Sequence, residues 1–241
     1  MITKALYAAD PYLTECESTV VDVTNGIVLS ETVFYPLGGG QAGDTGKLVM
    51  QTGEEVLIAD TRFVDGADHS KGIAHVPAEG QEGLLSRLKA GDVVHAHIDW
   101  TRRLQHMRLH TASHLAGAIL SIETDGCSVT RERARLDFVT AEPISADQLQ
   151  EALAKIVADE RDVTCELIAV DELAQHATAA AWAEQVPDGQ DVLRLVNIAG
   201  VDLQPCAGTH VRNTREIGSV RVKKVEKKSS RTRRVTLELV D

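Results

Sequence analysis

The apolar pattern changes period near Asp99-Trp100, and no other feature of the sequence constrains the fold as strongly. Before that point, short runs of β-branched and aromatic residues are separated by Gly- and Asp-containing turns. VVDVTNGIVL holds two such runs around Asn25-Gly26, a dipeptide suited to the left-handed angles of a tight hairpin. TVFYP, GKLVM, EVLIAD, GIAHV and VVHAHID read as further strands, and this many short strands at this spacing predict a small β-barrel. After Trp100, TRRLQHMRLHTASHLAGAILS reads as a helix, because Leu104, Met107, Leu109, Leu115 and Ile119 recur near helical spacing without a proline. A second helix is predicted in PISADQLQEALAKIVADE with Ser145 as its N-cap, and a third in DELAQHATAAAWAEQ. VTCELIAV, DVLRLVNIAG, VRVKKVE and RRVTLELV read as strands. The expected class is α+β, with a β-barrel domain over residues 1–98 and a second domain over 99–241.

At 241 residues the chain can build two cores, and 43% hydrophobic with 25% charged residues is a globular rather than a disordered balance. No run reaches the about 18 apolar residues of a membrane span, and MITKALYAADPYL lacks a signal-peptide apolar region. A cytoplasmic protein with no membrane partner is expected. Four cysteines without regular spacing argue against a disulfide framework there; Cys16, Cys127 and Cys165 are expected to be buried filler. The net charge of −11 speaks against general nucleic-acid affinity. It is uneven, however: Val211 to Asp241 holds ten Lys and Arg against four acids. Such a segment suits either a locally docked RNA or a solvated edge strand. Oligomeric state is not legible.

Two pieces of chain carry metal-ligand chemistry. His110 and His114 lie four apart in a predicted helix, so both rings project from one face and can reach one ion. His106 extends that face by a turn, and spacing alone leaves it open as a ligand. In LQPCAGTH, Cys206 and His210 flank Gly208, which allows the backbone to bend so that both side chains point inward. Sulfur with imidazole nitrogen favours zinc over magnesium or calcium. His95 and His97 share a strand face and could also bind metal, though the wet face of a strand explains them better. In FYPLGGGQAGDTG, the run Gly38, Gly39 and Gly40 suits either a flexible turn or close backbone approach to a ligand, with Gln41 and Asp44 at its edge. It is not a P-loop, because the Lys-Ser/Thr and the following helix are missing.

Taken in order, FYPLGGGQAGDTG, DWTRRLQHMRLHTASHLAGAIL and VDLQPCAGTHVRNTREIGSV resemble the alanyl-tRNA editing proteins of the AlaX type. These are free-standing relatives of the editing domain of alanyl-tRNA synthetase. The match runs from Asp10-Pro11-Tyr12-Leu13 to the last strand, and the Gly-rich motif is similar to that of the medium-length form. The resemblance implies a β-barrel followed by an open-sheet α/β editing domain, with zinc held by His110, His114, Cys206 and His210 and not by His106. It implies a mischarged alanine tRNA as partner and hydrolysis of its seryl, or glycyl, ester. It places Gly38, Gly39, Gly40, Gln41 and Asp44 near the substrate. No catalytic residue is identified; Thr111 and Thr124 are candidates. The family's Gln-x-Gly-Ser is Thr124 to Cys127 here, and the second Gly of CGGTH is Ala207. The competing readings are a zinc-stabilised tRNA-binding module without catalysis and a zinc hydrolase of small esters or amides.

Overall fold

In the computed structural model, which describes residues 3–65, 68–175 and 192–240, the chain divides into two compact units, Met1–His106 and Met107–Asp241. In the first unit lie β1 (Lys4–Ala5), α1 (Leu6–Ala9), β2 (Glu15–Asp22), β3 (Ile27–Leu29), β4 (Glu31–Thr32), β5 (Gly46–Met50), β6 (Glu55–Asp65), β7 (Asp68–Pro77), α2 (Glu82–Leu85) and β8 (Val93–Ile98). Helix α3 (Trp100–Leu120) begins there and continues into the second unit. That unit holds β9 (Thr124–Val129), β10 (Ala134–Val139), α4 (Ala146–Ala158), β11 (Val163–Ala169), β12 (Val192–Ile198), β13 (Asp202–Pro205), β14 (Val220–Lys227) and β15 (Thr232–Leu239). Among the described residues no helix is long and apolar enough to cross a membrane.

Six strands close a barrel in the order β2-β3-β7-β6-β5-β8, every neighbour antiparallel. Alternation in the sequence decides what faces in: Val94, Ala96 and Ile98 of β8 join Val20, Leu48, Val56 and Ile58 in the core, while His95 and His97 face out. The hairpin signal at Asn25-Gly26 holds, with Gly26 at φ 100° between β2 and β3. Tighter requirements fall on Gly43 and Gly46, where a Cβ would lie 2.2 Å from the Thr61 carbonyl oxygen and 2.1 Å from that of His97.

TVFYP is not a strand beyond Thr32. Val33, Phe34 and Tyr35 are all buried, without the alternation of a half-buried strand. Side chains take the backbone donors a ladder would use: Phe34 N–H donates to Thr32 Oγ1 (3.1 Å) and Tyr35 N–H to Asp44 Oδ2 (2.6 Å). Asp44 is wholly buried and paired with the equally buried Arg103, whose remaining donors reach the carbonyls of Pro11 (2.8 Å) and Val33 (2.6 Å). Such a pair holds only because its hydrogen-bonding groups are satisfied.

In the second unit, β14-β15-β10-β9 form an antiparallel sheet and β11-β12-β13 a smaller one. Ser145 caps α4 as predicted, accepting from Gln148 N–H (3.3 Å), and Leu149 and Leu153 are buried on its inner face. Gln150 joins α4 to β14 through Val220 O (3.0 Å) and Val222 N–H (2.7 Å). The predicted α3 is present, but it is not a one-sided amphipathic helix: residues 109–116 are buried without a break, His110, Thr111, Ser113 and His114 among them. Of the predicted third helix, a 3-10 turn over Val170–Gln175 covers the start, and the rest lies outside the described residues. Cys165, expected to be buried, is exposed on β11, where Arg194 reaches its sulfur (2.9 Å).

Candidate metal centre

His110 and His114 stand one turn apart on α3, and Cys206 and His210 follow β13 in a loop that brings them to the same place. Their four ligand atoms all lie within 4.8 Å of one another. The three histidines are buried, while Cys206 is half-buried next to exposed Ala207. Cys206 Sγ is 3.5 Å from His110 Nε2 and 3.3 Å from His210 Nε2. These donors could hold a metal ion.

Neighbouring groups fix which ring nitrogen points inward. Thr111 donates its hydroxyl to the Met107 carbonyl (2.9 Å), so its oxygen accepts from His210 Nδ1–H (3.1 Å) and Val211 N–H (3.3 Å). His210 Nε2 is thereby left for the cluster. Asp202 Oδ2 lies 3.0 Å from His114 Nδ1 and also accepts from Gln204 Nε2 (2.7 Å), which turns His114 Nε2 inward in the same way. A carboxylate behind a histidine ligand fixes its tautomer and raises its basicity. Arg194 clamps the loop through the carbonyls of Cys206 (2.6 Å) and Gly208 (2.9 Å). The backbone bends at Gly208, as expected, without a left-handed φ, and the Gly208 amide donates to Cys206 Sγ (3.3 Å).

Burial alone would raise the Cys206 thiol, but the imidazoles of His110 and His210 bring it well below the usual thiol value. Burial, reinforced by His110, lowers His210 to about 3. His114 resists the same burial through Asp202 and Cys206 and rises to about 9. Cys206 is thus held as a thiolate, the form that binds a metal, whereas His114 must release its proton before its inner nitrogen can coordinate a cation.

Of the other predicted positions, His106 is buried and stands outside the four-residue group. His95 and His97 meet Glu17 (3.5 Å) and Glu15 (3.0 Å) on the barrel's outer face. Thr124 is exposed at the start of β9, and Thr111 is fully buried. Gly38 to Gln41 form a two-residue turn closed by Gly38 N–H to Gln41 O (3.1 Å) and Gln41 N–H to Gly38 O (2.9 Å). Gly39 and Gly40 sit at φ 55° and 79°, a turn that glycine adopts without strain. Gly39 and Gly40 are exposed, whereas Gln41 and Asp44 are buried, and the Tyr35 hydroxyl donates to the Gly38 carbonyl (2.8 Å). Sequence reasoning missed Asp202, Gln204 and Arg194, which no motif spacing marks. It also missed the setting of Cys127, whose thiol bonds to Ser113 and is pushed up to about 11 by burial and by Cys206.

A family model described as the threonyl and alanyl tRNA synthetase second additional domain matches residues 193–236. Another, described as tRNA synthetases class II (A), matches residues 5–102. The chain is similar to alanyl-tRNA editing protein AlaX-M of Methanosarcina mazei, 34% identical over 100% of this chain and 98% of that protein. The Methanosarcina barkeri protein of the same name is 36% identical, with 100% of both covered. An alanine–tRNA ligase of Pyrococcus abyssi is 37% identical over 93% of this chain but 24% of its own length.

Proposed function

The chain belongs to the AlaX-M family of alanyl-tRNA editing proteins, and from that premise we propose that it hydrolyses the aminoacyl ester of mischarged alanine tRNA. Serine is the proposed main substrate and glycine the second. Water adds to the ester carbonyl, the acyl C–O bond breaks, and the free amino acid leaves the terminal ribose hydroxyl of the tRNA. A need for this reaction follows from the limits of binding. An alanine pocket gains only about 1–3 kcal/mol against a ligand that differs by one small group, so a second hydrolytic site is required.

One observation carries the reading: His110, His114, Cys206 and His210 converge in a chain that matches AlaX-M proteins end to end. Zinc fits this donor set. With Zn–S near ~2.3 Å and Zn–N near ~2.0 Å, a tetrahedron has S···N edges of roughly 3.5 Å, and two of the three S···N separations, to His110 and His210, are 3.5 and 3.3 Å. When bound, such an ion would supply Lewis acidity only if one of the four ligands yields or a fifth position opens, because four protein ligands close a tetrahedral site. The protein's part is positional: Asp202 and Thr111 orient His114 and His210, and the half-buried Cys206 edge admits the substrate.

Of the two candidate threonines, Thr111 has its hydroxyl engaged behind His210, so its proposed part is to orient that ring. Thr124 and Cys127 are the proposed contacts for the amino acid. Gly38, Gly39 and Gly40 are proposed to offer backbone to the tRNA, with Gln41 and Asp44 supporting their turn. A polar contact to the serine hydroxyl would reject alanine, because the site's own groups would be left unpaired.

Release of serine, glycine and alanine from charged alanine tRNA, with and without a chelator, tests the reading. Serine should leave fastest, alanine at the background rate, and chelation should stop the reaction. Absence of any release above background would leave only a binding module.

A further inference from the structure

We propose that the β14–β15 hairpin is a phosphate-binding surface that grips the body of an RNA. Residues 221–234 hold eight Lys and Arg against one acid, Glu226, in a chain whose net charge is −11. Several of these cations are already matched: Arg221 and Lys223 share Glu238, Lys224 meets Glu226, and Lys228 and Arg234 meet Asp137. Among the described residues, no carboxylate pairs with Lys227, Arg231 or Arg233. Lys227, Lys228 and Arg231 are exposed around the turn, and among the described residues Arg233 bonds to the carbonyls of Ser229, Thr232 and Ala141. Its charge is therefore not neutralised.

Lysines also guard strand edges, and β14 is an edge strand. That purpose does not explain the pattern. Arg233 and Arg234 lie on β15, which is flanked by β14 and β10, so that strand has no edge to guard. Lys228 and Arg231 lie in the turn, beyond the paired residues. The turn is held in shape by Lys228 N–H to Thr232 O (3.1 Å) and Arg231 N–H to Ser229 Oγ (3.2 Å). A braced loop that presents cations and two serine hydroxyls offers what phosphate oxygens accept from. Its tip, Lys-Lys-Ser-Ser-Arg, has no apolar residue to enter a bilayer. Negative charge on the rest of the chain confines contact to this patch.

The inference rests on the tRNA reading above, and its test separates the two. Binding of uncharged alanine tRNA is measured from low to moderate salt for the wild type, for the double variant Lys227→Ala/Arg231→Ala, and for a control, Lys47→Ala/Arg87→Ala, on the barrel. Each phosphate contact contributes about 0.7–0.9 to the salt slope. The hairpin variant should bind roughly tenfold more weakly at low salt, with a slope smaller by about 1.5, and the control should match the wild type. Hydrolysis of a seryl ester on the terminal adenosine alone should be unchanged in the hairpin variant. Wild-type tRNA affinity and slope in the hairpin variant would overturn the proposal even if serine is released normally. So would loss of binding only to phosphatidylserine vesicles. A weakened variant in a protein that releases no amino acid would keep the RNA surface and discard the hydrolase.

Discussion

Behind the His110, His114, Cys206 and His210 cluster, single residues decide how each ligand is presented. Asp202 is the clearest case, because it engages His114 through the nitrogen that faces away from the other ligands. Loss of a carboxylate partner behind a histidine ligand typically costs 10–100-fold in metal affinity. Asp202→Asn should therefore weaken zinc binding by at least about tenfold in a chelator competition; a curve superimposed on the wild type would assign Asp202 no positioning role. His75 in the barrel is a second residue-scale case. Its Nδ1–H donates to Ile27 O (2.8 Å), so Nε2 accepts from the Thr32 hydroxyl (2.8 Å) and the ring is neutral. Burial lowers it to about 4, against about 6.5 in the unfolded chain. The unfolded state binds the proton first as pH falls. The stabilisation is thus complete above pH ~6.5 and is lost as the pH drops towards ~4, on the order of 3 kcal/mol in all. Urea unfolding across that window should show a steeper pH slope for the wild type than for His75→Gln, and equal slopes would contradict the assignment.

Among the elements, the turn of Gly38 to Gln41 is linked to the buried ion pair through Tyr35, whose hydroxyl donates to the Gly38 carbonyl (2.8 Å). Asp44 joins the Tyr35 amide to the buried Arg103 guanidinium, and removing one partner leaves the other charge buried alone. Asp44→Ala should destabilise the protein by about 3–5 kcal/mol in denaturant unfolding, whereas substitution at exposed Gly39 should cost much less; similar small losses at both would show that the pair does not brace the unit. This contrast also explains what was legible in the sequence. The barrel strands, Ser145 and both helices announce themselves by period, turn and cap residues. The segment Val33 to Tyr35 looks like a strand because its side chains are apolar, but a distant carboxylate takes its backbone donors. The β9–β10 hairpin hides in TDGCSVTRERARLDF, where polar residues mask the alternation that buries Val129, Leu136 and Phe138. Helix α3 hides its second character too, since its buried polar residues interrupt the apolar stripe.

For the whole molecule, residues some hundred positions apart form one chemical unit, with His110 and His114 on one side and Cys206 and His210 on the other. The ligand types and their local spacing were visible; that Asp202 and Thr111 stand behind two of them depends on the folded chain alone. Zinc titration of metal-free protein, following serine release from seryl-tRNA made on the alanine tRNA, tests the central claim most directly. Activity should rise in proportion to occupancy and level off at one ion per chain, with Cys206→Ala inert throughout. Full serine release from protein stripped of metal would contradict it.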